Sequence, residues 1–321
     1  MYFYVFLQPE AFSESNQDGE DASQNLAAIL AGFSQNCLLA VFEDDRWDTA
    51  VKEALERWPA SMTRRRVTAL LVQLKKHNRF IYGIVPDYAG TKRDLDCVID
   101  QAVSIPLDLM LVIGAESGRV VPENIEITTR RSYQNTAFEP KRSALATNGK
   151  TCAAGEMNEL DFMNFHFLKA LKHASSIDVF DRYCGKQGFS DNFHYTVKKF
   201  MGWLASIQGD STLPRISFHF AQPPGKGADY MLEELASFRG GRLETASIQV
   251  NLYDDSAEGP ALPHQRFIFT DQIALNVDRG FDFLDSGTKR CRDTYINYQD
   301  PNDAQNLLGG CTQKRVLSSS I

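Results

Sequence analysis

Between Pro263 and Leu284 the chain places His264, Arg266 and Asp271 close together, and then Asp278-Arg279-Gly280-Phe281-Asp282. An imidazole can act as nucleophile or base. A guanidinium is a planar fork suited to holding phosphate in two places. A carboxylate can orient an imidazole. His264 and Arg266 are separated by one residue, so in an extended segment their side chains point the same way. The apolar run Phe267-Ile268-Phe269 then carries the chain to Asp271, and a second run, Ile273 to Val277, leads into the glycine turn. Taken singly, Asp271 is a turn residue and His264 a strand-edge histidine. The combination is what marks the stretch.

In this order the residues resemble the signature of the phospholipase D superfamily. There histidine, lysine and aspartate stand at the same spacing, ahead of a strand and a glycine turn. His264, Arg266 and Asp271 fall on those positions, and Gly280 and Asp282 fall near the glycine and asparagine of the turn. A variant that shares the arginine is the phospholipase D-like domain at the C-terminus of MIT (microtubule-interacting and trafficking) proteins and its bacterial relatives. The resemblance runs from Asn158 to about Leu308, with Ile177 to Tyr183 as the first strand, and is specific only at the hairpin. It implies a mixed sheet with helices on both faces. It also implies that His264 attacks a phosphodiester, Arg266 holds the non-bridging oxygens and Asp271 orients the histidine. Arg279, Gly280 and Asp282 are the implied phosphate contacts, and Asp181 and Tyr183 the implied layer behind His264. No cofactor is implied. Arginine in place of lysine keeps phosphate binding and leaves turnover open. Active members bring two signatures around one phosphate. This chain holds one, so activity would require a homodimer.

The elements that must carry these residues are strands alternating with helices, an α/β arrangement. Strands are expected at Met1 to Leu7, Cys37 to Phe42, Phe80 to Val85 and Leu107 to Ile113. Between them come helices at Asn25 to Phe33, Trp47 to Trp58, Val67 to Lys76 and Asp94 to Ser104. Glu14 to Gln24 is polar and reads as a loop. Residues 1–125 thus form an N-terminal α/β domain with no resemblance to a named family. Residues 126–157, with Arg130, Arg131, Lys141, Arg142 and Lys150, read as a basic linker. Residues 158–321 form the phospholipase D-like domain, ending in a final helix and a mobile tail. Asp44 and Asp45 follow a strand, where metal-dependent nucleases gather carboxylates; capping the next helix fits them better. His219, between Phe218 and Phe220, reads as a structural histidine. A turn at Pro223-Pro224-Gly225 and a charge at Lys226 complete the reading of this half.

With 321 residues, 43% hydrophobic and 23% charged, the chain has the make-up of a globular protein of two domains. A net charge of −7 argues against a chain-wide basic surface for nucleic acid, though not against a local one. The six scattered cysteines form no C-x-x-C pair. They read as reduced buried thiols in a cytoplasmic protein, not as a zinc site. No stretch approaches a membrane span.

Two functions remain open. One is a metal-independent, homodimeric nuclease of phospholipase D type, for which bacterial defence is a fitting setting by analogy. The other is a non-catalytic module that holds a phosphate, lipid headgroup or nucleic acid. In that case the N-terminal domain supplies contacts to a partner protein or metal-dependent nuclease chemistry.

Overall fold

The computed structural model describes residues 2–186, 191–207, 214–222, 228–238, 246–255, 262–311 and 315–320. They divide into two compact units, Tyr2–Ala146 and Thr147–Ile321. Both are built from helices and parallel or mixed sheets, so the chain is α/β. Among the described residues no helix is long and apolar enough to cross a membrane. The turn at Pro223-Pro224-Gly225 and Lys226 lie outside the described residues.

The first unit contains β1 (Phe3–Leu7), α1 (Glu10–Gln17), α2 (Glu20–Asn36), β2 (Cys37–Phe42), α3 (Arg46–Glu56), α4 (Met62–Lys76), β3 (Phe80–Ile84), α5 (Asp94–Gln101), β4 (Leu109–Val112), β5 (Glu126–Thr129) and α6 (Phe138–Asn148). Its sheet has the order β3-β2-β1-β4-β5, parallel throughout. β1, β2 and β4 are buried along their whole length, which is why they read as unbroken apolar runs and not as alternating ones.

Glu14 to Gln24 is not a loop: it is divided between α1 and α2. Gln17, Glu20, Asp21 and Gln24 are exposed on helix surface, while Leu26, Ile29, Leu30 and Phe33 bury the other face of α2. Glu20 and Asp21 sit in the first turn of α2, where carboxylates complement the helix dipole.

The basic stretch 126–157 is not a linker. β5 is the fifth strand of the first sheet, α6 buries Phe138 against Phe3 and Phe33, and the strand after it joins the second sheet. Its arginines are largely internal. Arg130 is buried and pairs with Asp18. Arg142 is buried too, bonded to Glu139 at 2.8 Å and to the Gly32 carbonyl at 2.9 Å.

The second unit contains β6 (Lys150–Cys152), α7 (Glu159–His166), α8 (Leu168–Leu171), β7 (Ser176–Asp181), α9 (Arg182–Lys186), α10 (Asp191–Ile207), β8 (Arg215–Ala221), α11 (Ala228–Ser237), β9 (Ile248–Tyr253), β10 (Phe267–Thr270), β11 (Ala274–Val277), β12 (Leu284–Asp285), β13 (Arg290–Cys291), β14 (Thr294–Gln299), α12 (Pro301–Cys311) and β15 (Arg315–Ser320). The main sheet has the order β15-β9-β8-β7-β10-β11-β14-β6. β7, β8 and β9 are parallel, and β10 turns the sheet antiparallel by pairing with β7. After Asp285 the expected final helix is α12, but the stretch also supplies β13 and β14 before it, and β15 where a mobile tail was expected. Ala304 and Cys311 of α12 join the core formed by Phe180, Phe267 and Phe269.

Candidate functional site

The register of β10 on β7 decides which signature residues can meet. Phe267 lies opposite Phe180, and Thr270 lies opposite Ile177. Residues just before β10 therefore reach the end of β7, and residues just after it reach the start. His264 and Arg266 go one way and Asp271 goes the other. At about 3.3 Å per extended residue, Arg266 and Asp271 are separated by roughly 16 Å.

Asp271 accordingly does not orient His264. Its carboxylate accepts from the Ser175 backbone N–H at 3.0 Å and the Ser175 hydroxyl at 2.6 Å, and so holds the entry to β7. This corrects the triad expected from the spacing. A strand's length separates residues that look adjacent in a motif.

At the other end of β7, His264 is exposed and Tyr183 takes the place expected for the aspartate. The Tyr183 hydroxyl lies 2.8 Å from His264 Nδ1. His264 Nε2 lies 3.5 Å from Arg182 Nη1. A guanidinium has donors only. The neutral tautomer in which Nε2 accepts from Arg182 carries its hydrogen on Nδ1 and donates it to the Tyr183 oxygen. His264 Nε2 thus faces a cation.

Arg182 is held firmly. It reaches Asp255 at 2.9 Å and donates to the Leu262 carbonyl at 2.9 Å. Neither Arg182 nor Asp255 stood out by spacing. The available signal was topological: both follow parallel strands, and loops at the carboxyl ends of parallel strands converge.

Arg266 lies with its guanidinium carbon 4.4 Å above the Tyr183 ring and donates to the Asp278 carbonyl. His264 and Arg266 do therefore converge, on Tyr183. Among the described residues Arg266 Nη2 makes no hydrogen bond, and the side chain keeps 21% of its surface open.

Beneath lies Asp181, fully buried. It accepts from the backbone N–H groups of Tyr183 at 2.9 Å, Cys184 at 3.1 Å and Phe281 at 2.7 Å. Arg266 Nε stands 3.9 Å away. Burial lifts the Asp181 carboxyl from 3.8 to about 6, against the downward pull of these donors and of Arg266. Gly280 closes the arrangement. Its φ of +54° is a left-handed conformation. A Cβ there would overlap Asp181 Oδ2 and stand 2.6 Å from Arg266 Cδ. That explains the glycine of the turn.

Arg279 and Asp282, expected as phosphate contacts, are engaged elsewhere. Asp282 accepts from Arg292 at 3.0 Å and Asn192 at 2.5 Å, and pairs with Arg279 at 3.6 Å. Arg279 also donates to the Asp293 carbonyl. They brace the turn that presents Gly280.

His219 is buried between Tyr253 at 2.8 Å and Asp178 at 3.0 Å, in line with a structural histidine. Asp44 is bound by Arg46 Nε at 2.9 Å and accepts from the Arg46 N–H at 3.3 Å, while Asp45 precedes α3 without a side-chain cap. Among the described residues no group of three or more His, Cys, Asp or Glu is placed to hold a metal ion. A scan of the chain against protein-family models found no match, and neither did a search of the curated proteins.

Proposed function

We propose that the site formed by His264, Tyr183, Arg182 and Arg266 binds a phosphodiester and cleaves it without a metal, as a phospholipase D-type nuclease would. The observation that carries this reading is the pair of contacts made by His264: Tyr183 on Nδ1, and an arginine facing Nε2. A phosphate oxygen that takes the Arg182 Nη1 donor in place of Nε2 releases the Nε2 lone pair and brings the phosphorus next to it. In the proposed step His264 Nε2 bonds to phosphorus as the ester oxygen departs. Arg182 and Arg266 hold the non-bridging oxygens. The departing oxygen takes its proton from His264 of a second copy across a two-fold axis. Water then hydrolyses the phospho-histidine.

A second reading has its own support. Among the described residues no carboxylate touches His264, and Arg182 is committed to Asp255. Such a site suits holding a phosphate, in a nucleic acid or a headgroup, without turning it over.

The deciding experiment measures cleavage of labelled DNA and RNA in EDTA, with the oligomeric state determined on the same samples. Wild type should cleave as a dimer. His264→Ala should lose at least about 100-fold in rate, and Asp271→Ala should stay within about threefold because it lies at the far end of β10. A folded Asp271→Ala that loses cleavage as completely as His264→Ala overturns the assignment. Absence of cleavage, with phosphate binding that weakens in Arg266→Ala, selects the second reading.

A further inference from the structure

The first unit has a cleft of its own. In a sheet ordered β3-β2-β1-β4-β5, the chain runs outward from β1 through β2 to β3 and then crosses back to β4 on the other side of β1, so the strand order reverses between β1 and β4. Ligands of open α/β sheets bind at such a switch point, beyond the carboxyl ends of the strands. A cavity of about 280 Å3 lies there, beside the ends of β1, β2 and β4. This is near the lower end for ligand pockets, about 300 Å3, and limits the occupant to a small molecule.

Its lining is divided by chemistry. Phe6, Phe42, Trp47, Leu95 and Ile113 supply an apolar wall. Arg46 and Arg93 supply cations that the protein has already positioned. Arg46 reaches Asp44 through Nε at 2.9 Å and Asp94 through Nη1 at 2.6 Å. Arg93 reaches Asp96 through Nε at 3.3 Å and Glu116 through Nη1 at 2.9 Å. Neither arginine uses Nη2 for a hydrogen bond among the described residues. Glu10, also in the lining, is exposed and has no ion pair among the described residues. The cleft therefore offers fixed donors, one uncommitted carboxylate and an apolar wall.

We propose that this cleft binds a small zwitterion with an apolar body, the class to which the hydrophobic α-amino acids belong. The ligand carboxylate takes the Nη2 donors of Arg46 and Arg93. The ammonium takes Glu10. The side chain lies on Phe6, Phe42 and Trp47. A phosphate monoester fits less well, because Glu10, Asp94 and Glu116 outnumber the two arginines in the lining. The inference is independent of the His264 site.

The test is calorimetric titration of the full chain with L-leucine and L-phenylalanine. Their amides lack the carboxylate, their N-acetyl forms lack the ammonium, and adenosine monophosphate serves as the anionic competitor. Saturable binding of a free amino acid is expected, at least tenfold weaker for both blocked forms. Arg93→Gln and Glu10→Gln alter exposed side chains, so the fold is not at risk. Arg93→Gln should narrow the difference between acid and amide, and Glu10→Gln the difference between the free and N-acetyl forms. The proposal is overturned if no amino acid binds, if the blocked forms bind as well as the free ones, or if the nucleotide binds more tightly than all of them.

Discussion

Gly280 and Asp181 show how little freedom the centre of the second unit has. Alanine at 280 would meet Asp181 Oδ2 and would also have to adopt the left-handed φ of +54°. We expect Gly280→Ala to cost about 2–4 kcal/mol in urea unfolding, and to weaken any phosphate ligand in the same samples. Asp181 makes a separate prediction about pH. Its folded pKa of about 6 lies above the unfolded 3.8. The folded state therefore binds the proton more tightly. This contribution is complete below about pH 4 and is lost as the pH rises through 6; for a shift of this size it is of order 3 kcal/mol. Asp181→Asn should be less stable overall, because its side chain can no longer accept as a carboxylate. Between pH 4 and 6, however, the stability difference between wild type and Asp181→Asn should shrink as the pH rises, because only wild type loses the Asp181 contribution. Parallel slopes for the two proteins would show that Asp181 does not titrate there.

At the scale of elements, α6 is the clearest case of composition misleading the eye. Lys141 and Arg142 are neighbours in a stretch that reads as a solvated basic run. The helix turns one outward and the other inward. Lys141 is exposed, whereas Arg142 is 4% exposed and bonded to Glu139, Gly32 and Asn36. Removing one partner of a buried ion pair costs about 3–5 kcal/mol. Arg142→Ala should show that loss in chemical denaturation, while Lys141→Ala should stay within about 0.5 kcal/mol of wild type. Equal effects would mean that the two side chains share one environment. The hairpin of β10 and β11 teaches a related lesson. It was legible from its apolar runs and its turn, but its partner strand was not, and the pairing with β7 is what carried Asp271 away from His264.

At the scale of the molecule, the division falls between Ala146 and Thr147, and β6 pairs with β14 at the edge of the second sheet. A fragment of residues 147–321 should therefore fold with a cooperative thermal transition. A fragment of residues 158–321 lacks β6 and leaves β14 as an open edge, so it should melt lower and aggregate more readily. Fragments that melt alike would show that β6 adds nothing to the second unit.

The sequence by itself determined the α/β class, most of the strands of the first sheet, and the stretch in which His264, Arg266 and Gly280 lie. These follow from local rules. Buried parallel strands are apolar runs, helices repeat their apolar residues at 3.6-residue spacing, and a forced turn selects glycine. Tertiary structure alone decided the chemical partners. Tyr183 rather than Asp271 holds His264, Arg182 faces its other nitrogen, Arg279 and Asp282 brace a turn, and Arg142 is internal. Contacts between residues 81 positions apart, such as Tyr183 with His264, depend on strand register and on which loops share an edge of the sheet. No spacing within a single motif encodes that register.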